Sequence, residues 1–350
     1  MPERTVVPPC RVDPTGRLGP TRARARGRGW RRVGPGLYVP ADTDSTTFEQ
    51  RVVEVAAGLP EAAAITGIAA LRWIGVEYLS GLADRGDDVI DVAVDDRAAL
   101  APRPGVRLTN DWLFEADRVV VDGVALTRVA RSVSFAVRRA RSLSAAVRIL
   151  DMALRADVVD LAEMQRYAAG LRCRPEVRQL RTALEFADEN AWSPMETVMR
   201  LEWVEAMRRR PLTNRPVFHL DGRLLVPDLL DPEWGVAGEY DGDVHNQTRV
   251  RERDHDRDEL YRDLGLQVAR MTSTDLRAPF AFVRRLRAAY GRAELVGRSS
   301  RCWTLAPPSG WTVRTTVAAR RAAGDAAGPR AAVVTGEKHR FSAGRGASRM

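Results

Sequence analysis

Glu196, Asp228, Glu239 and Asp241 are the carboxylates whose spacing could do chemistry, and His245 stands four residues beyond the last of them. Asp228 follows Pro227 at the end of a β-rich run, and Glu239 comes eleven positions later. Along Trp234–Asp241, a strand's period of two puts Glu239 and Asp241 on one face and Tyr240 on the other. Carboxylates held a few ångströms apart in a partly dry site repel, so they share protons or hold a cation. Oxygen donors alone suit Mg2+ or Mn2+, which keep several waters and accept phosphate oxygens. Such an ion lowers the pKa of bound water and polarises a phosphodiester. His245 is then a candidate base or phosphate donor. Each residue also has a plainer role. Glu196 fits a helix-capping position, Asp228 a turn after proline, Asp241 an Asp-Gly turn, and His245 an ordinary surface histidine.

The elements that must position these groups read as helix, hairpin, strand, helix, strand, helix. Ser193-Pro194-Met195-Glu196 supplies a serine N-cap, a proline at N1 and a glutamate at N3. Met195, Val198, Met199, Glu202, Trp203 and Met207 trace the helix that follows. Asp221-Gly222 separates two β-rich runs between Val217 and Val226, a hairpin signal. A polar helix over 249–264, a strand Leu266–Arg270 and a last helix near 279–290 complete the region. A hairpin feeding a strand–helix–strand unit predicts a mixed sheet with helices on its faces, an α/β fold. On the polar helix Asp254 and Arg257 lie one turn apart, the spacing of a local ion pair. Arg270 ends a strand, where it could meet phosphate or a nearby carboxylate.

Upstream, Trp30–Pro40 predicts two short strands around a Gly-Pro-Gly turn, and 47–58 and 60–74 carry helical spacing. Val89–Val94 alternates as a strand, with Val106–Leu108 and Val119–Leu126 weaker, the latter broken at Asp122-Gly123. Residues 128–186 read as helical throughout. Their arginines 128, 131, 138, 139, 141 and 148 are expected on a solvated face.

The chain of 350 residues is 45% hydrophobic and 29% charged, too apolar for wholesale disorder. Its 3 cysteines lack zinc-finger spacing and exclude a disulfide scaffold. No apolar run approaches a membrane span, and the start has no signal-like apolar stretch, so a cytoplasmic address and no membrane partner are expected. The formal charge of +9 is unevenly placed. Residues 1–40 carry nine arginines against Glu3 and Asp13, while 297–350 carry nine arginines and Lys338 against Asp325 and Glu337. The stretch between is therefore net acidic, and whole-chain basicity is a weak argument for a nucleic-acid partner.

Pro227-Asp228 followed by Glu239-x-Asp241 resembles the PD-(D/E)xK nuclease pattern. The extended string resembles the DUF559 family of very-short-patch-repair-like endonucleases: Ser193-Pro194-Met195-Glu196 with Arg200, Asp228, Glu239-Tyr240-Asp241-Gly242, His245, Asp254-x-x-Arg257, Gly265 and Val268-x-Arg270. That resemblance implies a restriction-endonuclease-like mixed sheet flanked by helices. It implies Asp228 and Glu239 as ligands of Mg2+ or Mn2+, Glu196 as a supporting carboxylate and His245 as a catalytic group. The candidate catalytic set is then Glu196, Asp228, Glu239, Asp241 and His245, with Arg257 and Arg270 facing DNA. Asp241 stands where the wider superfamily has a lysine, and Lys338 is the chain's only lysine. Arginine or His245 would have to take its part, and arginine cannot act as a base. Arg31–Pro40 and Ile65-Thr-Gly-Ile-Ala-Ala70 resemble the N-terminal region of AbiEi-type antitoxins, which implies a winged-helix-like module and a toxin partner. The resulting expectation is a basic arm without structure (1–29), a small α+β module (30–125), a helical connector (126–190), an endonuclease-like domain (191–296) and a mostly disordered basic tail (297–350). The function it implies is metal-dependent cleavage of DNA, with a non-catalytic DNA-binding regulator as the alternative.

Overall fold

A computed structural model describes residues 5–82, 89–95, 100–101, 103–241, 248–276, 278–297, 301–324 and 334–335, with backbone alone for 248–255 and 334–335. The chain divides into two units, Met1–Ala187 and Asp188–Met350. Both mix helices with sheets, so the chain is α/β. Among the described residues no helix is long and apolar enough to cross a membrane.

The first unit opens with β1 (Cys10–Arg11), α1 (Arg22–Ala25), β2 (Trp30–Gly34) and β3 (Leu37–Pro40). Strands β2 and β3 pair antiparallel around the Gly-Pro-Gly turn, where Gly36 takes a φ of 72° that favours glycine. The arm expected to lack structure instead adds β1 to this sheet beside β3. The Asp13 carboxylate organises its turn, accepting from the amides of Thr15, Arg17 and Leu18 at 2.9 Å each. Composition alone does not reveal such local side-chain-to-backbone bonds.

Next come α2 (Phe48–Ala56), β4 (Ala63–Ile65), α3 (Gly67–Trp73), β5 (Ile90–Val94), β6 (Val106–Thr109), β7 (Arg118–Val121) and β8 (Val124–Thr127). Their sheet runs β6-β5-β4-β8-β7. The helix expected over 60–74 is a strand and then a helix. Ala63, Ala64 and Ile65 are wholly buried between neighbouring strands, and a short apolar run covered on both sides has no readable period. The chain then continues through α4 (Val129–Arg138), α5 (Leu143–Arg155), α6 (Leu161–Gly170) and α7 (Val177–Phe186). Two arginines expected on a solvated face are buried. Arg131 donates to Thr66 and to the Trp112 carbonyl, and Arg138 pairs with Asp111. A buried guanidinium needs this many partners to offset its lost hydration.

The second unit contains α8 (Pro194–Met207), β9 (Leu212–Thr213), β10 (Val217–His219), β11 (Leu224–Leu225), β12 (Leu229–Asp231), β13 (Val236–Asp241), α9 (Thr248–Asp263), β14 (Gln267–Thr272) and α10 (Phe280–Val296). The main sheet is ordered β14-β13-β12-β9, with β13 and β14 parallel and the other pairs antiparallel. A mixed sheet built on a strand–helix–strand crossover therefore forms. The hairpin of β10 and β11 does not join it. It lies in a separate small sheet, and the central partner of β13 is the unforeseen β12.

The two faces of the main sheet bury different helices. Leu229, Val236, Ala269 and Met271 pack with Met199 and Trp203 of α8 and Phe282, Leu286 and Tyr290 of α10. Leu230 and Ala237 pack with Tyr261 of α9 and with Leu264 and Leu266. Gly238 lets α8 approach closely, since a β-carbon there would stand 2.9 Å from the Trp203 ring.

The basic tail is also partly structured. It supplies β15 (Trp303–Thr304), β16 (Thr312–Val313), α11 (Val317–Ala322) and β17 (Val334–Thr335). β15 pairs with β10, Trp311 meets the Phe218 ring edge-on at 6.0 Å, and Val317 and Arg320 are buried. Sparse apolar anchors spaced among Arg, Gly and Ala leave no periodic trace in the sequence.

Candidate functional site

The register of the main sheet brings the acidic residues together. β12 pairs Leu229 with Gly238 and Leu230 with Ala237, so one further step places Asp228 opposite Glu239. Opposed residues of an antiparallel pair share a face. On the parallel side Glu239 stands beside Arg270 and Asp241 beside Thr272. Asp228, Glu239, Asp241 and Arg270 therefore share the face that α9 covers, and Tyr240 points to the other.

These residues line a cavity of about 490 Å³ with Trp192, Val226, Tyr240 and Arg257. Asp228 is half-buried, and its Oδ2 accepts the Tyr240 amide at 2.8 Å. Burial, then the neighbouring charges of Glu239 and Glu196, hold its carboxyl well above the usual carboxylate range.

Glu239 is held by α9. Arg257 Nη2 donates to Oε1 at 2.8 Å and Oε2 at 3.0 Å, and its Nε donates to Oε2 at 3.2 Å. The Tyr261 hydroxyl donates to Oε1. Arg257 and Tyr261 are four residues apart, so both project from one face of the helix. Burial, reinforced by Glu239, pushes the Tyr261 hydroxyl well above its ordinary value. Desolvation works against the Arg257 charge, but Tyr261 and Glu239 outweigh it and hold the guanidinium more firmly protonated than usual.

Glu196 is buried beside the cavity rather than lining it. Its amide donates to Ser193 Oγ at 3.2 Å, as the capping box requires. Its carboxylate accepts the Trp192 amide at 2.8 Å and the Asn214 side-chain amide at 2.6 Å. Asp241 is exposed at the rim. Arg270 lines the cavity and pairs with Asp258. Hydrogen bonding to Asp258 is the main reason its charge is held more firmly than usual. His245 lies outside the described residues, as does the Asp254 side chain, and Arg257 is committed to Glu239.

Among the described residues no group of three or more His, Cys, Asp and Glu side chains forms a metal-binding cluster. The donor set nevertheless suits a hard divalent ion through two carboxylates, Asp228 and Glu239, that repel each other at the wall of the cavity. Asp228 Oδ1 takes no hydrogen bond among the described residues, which leaves it available to a cation.

Asn214, Trp192, Asp258 and Tyr261 are site residues that the motif reading missed. Tyr261 could have been found from its spacing to Arg257 on the polar helix. Asn214 sits on a loop and carries no sequence signal. Comparison with known protein families, with characterised proteins and with solved structures finds no match to this chain.

Proposed function

We propose that this cavity is a metal-dependent centre for hydrolysing phosphodiester bonds in DNA. The observation that carries the reading is that Asp228, just before β12, and Glu239 of β13 line one cavity that also presents Arg257 and Arg270. Asp228 and Glu239 would hold Mg2+ or Mn2+, and the ion would supply a water of lowered pKa and neutralise charge on the phosphate. Glu196 adds negative charge behind Asp228 and favours a cation there. Its own position is fixed by Asn214 and the Trp192 amide. Arg270 stands at the rim, where a guanidinium can fork onto a phosphate. Asp241 and His245 complete the candidate set, with His245 as the candidate proton acceptor.

The test is nicking of supercoiled DNA with Mn2+ or Mg2+. Activity should appear with the wild type and vanish in Asp228→Ala combined with Glu239→Ala. Nicking that survives both substitutions rejects the site.

The second reading is a DNA-binding regulator of the AbiEi-type antitoxin class without cleavage. It is favoured by the firm hold of Arg257 on Glu239 and by the small three-stranded sheet of the first unit. It predicts DNA binding in the presence of chelator that weakens steeply with salt. A flat salt dependence rejects it.

A further inference from the structure

We propose that Arg257 is a resident counter-cation that a divalent ion must displace from Glu239, so that this arginine sets how tightly the site takes its ion. The inference rests on the metal-dependent reading of the cavity and adds a regulatory element to it.

A carboxylate offers about four lone-pair positions on its two oxygens. Those of Glu239 are largely taken up, with one Arg257 Nη2 hydrogen shared between its two oxygens. Oε1 accepts from Arg257 Nη2 and the Tyr261 hydroxyl, while Oε2 accepts from Arg257 Nη2 and Nε. An ion arriving beside Asp228 therefore finds one ligand open and one largely taken up. Asp228, which lines the cavity, uses Oδ2 for the Tyr240 amide, and among the described residues Oδ1 takes no hydrogen bond.

Of the two groups holding Glu239, only Arg257 is free to leave. Tyr261 is buried in the core between α9 and the sheet, at 2% exposure. The Arg257 side chain is 37% exposed and faces the cavity. Its Nη2 also donates to the Val226 carbonyl at 2.9 Å, so a guanidinium that lets go of Glu239 keeps a partner. No covalent bond changes in this exchange. One carboxylate–guanidinium pair gives way to a carboxylate–metal contact, and a cation of charge one is replaced by one of charge two among Glu196, Asp228 and Glu239. The freed guanidinium then stands in the cavity beside Arg270, ready for an anionic oxygen.

The experiment is calorimetric titration of the full chain with Mn2+, comparing the wild type with Arg257→Gln, Arg257→Lys and Asp228→Asn. Circular dichroism checks the fold of each. The Gln variant should bind Mn2+ at least about tenfold more tightly than the wild type, because the competing charge and its fork are gone. The Lys variant keeps a point charge without the fork and should fall between the two. Asp228→Asn should bind weakly or not at all. A wild type that binds, beside Arg257 variants that bind equally or less well, overturns the exchange and leaves the metal site standing. Absence of binding in the wild type and both Arg257 variants overturns the metal reading and the exchange together. Should Gln fail to fold, the Lys variant decides by the same criterion.

Discussion

Asn214 donates its side-chain amide to the buried carboxylate of Glu196 at 2.6 Å and to the Asn190 carbonyl at 2.8 Å. The bond joins the loop just after β9 to the first turn of α8. A buried carboxylate keeps its charge only while donors replace its lost water. Asn214→Ala removes one such donor and should destabilise the second unit by about 1–3 kcal/mol. Urea unfolding followed by tryptophan fluorescence measures this. A midpoint unchanged from wild type would show that the bond contributes nothing.

Asp275 gives the clearest pH signature. Burial opposes its charge, but bonds from the Thr272 amide at 2.7 Å and the Thr272 hydroxyl at 2.9 Å, with the Arg285 pair, hold its carboxyl below the ordinary value. A depressed folded-state pKa means that the unfolded chain takes up the proton first as pH falls. The stabilisation is therefore complete above the unfolded value of about 3.9 and is lost as pH falls through the folded one. Asp275→Asn keeps an oxygen for Thr272 but loses the charge. It should be less stable than wild type at pH 7, with the gap closing below about pH 4. A gap that stays constant from pH 7 to pH 3 contradicts this origin.

The polar helix is legible as a long charged run without Gly or Pro, and the Glu239 strand as an apolar run that ends at the Asp241-Gly242 turn signal. β12 is not. Leu229–Asp231 is short and buried on both faces, and its neighbour Val217–Val226 carries the stronger hairpin signal. The acidic set was legible as letters, since Asp228 and Glu239 fall on one face once β12 and β13 pair. Its wiring was not legible. The Asp254–Arg257 spacing suggests a local ion pair, and the Asp254 side chain lies outside the described residues; what the spacing does not show is that Arg257 reaches eighteen residues back to Glu239 across the sheet–helix interface. Local spacing says which residues share a helix face and nothing about what that face meets. The burial of Arg131 and Arg138 follows the same rule, because their partners come from Asp111, Trp112 and Thr66 far upstream.

Gly238 tests how α8 seats on the sheet. A β-carbon there would lie 2.9 Å from the Trp203 ring and 3.3 Å from Leu229 Cβ, and Trp203 is wholly buried. Packed cores absorb added methyl groups poorly, at a cost of typically about 1–3 kcal/mol. Gly238→Val should reach the upper part of that range, because two further carbons meet the same ring. Thermal melting of the variant measures it, and a melting temperature equal to wild type would show that α8 can slide away freely.

The structured part of the basic tail makes the last prediction. β15 covers the outer edge of β10, and Trp311 packs on Phe218. The Val317 amide donates to Glu189 at 3.1 Å, and buried Arg320 donates to the Glu189 carbonyl at 3.2 Å. A chain ending at Gly324 keeps all of these contacts, whereas one ending at Ser300 loses them. The loss would bare the Phe218 strand edge and the Glu189 end of the segment leading to α8. An uncovered apolar strand edge is also a site for pairing with other chains. The chain ending at Gly324 should melt like the full chain and stay monodisperse. The chain ending at Ser300 should melt several degrees lower, as roughly 1–2 kcal/mol of lost stability implies, and should aggregate on heating. Equal melting of the two truncations would mean that residues 301–324 add nothing to the unit they pack against.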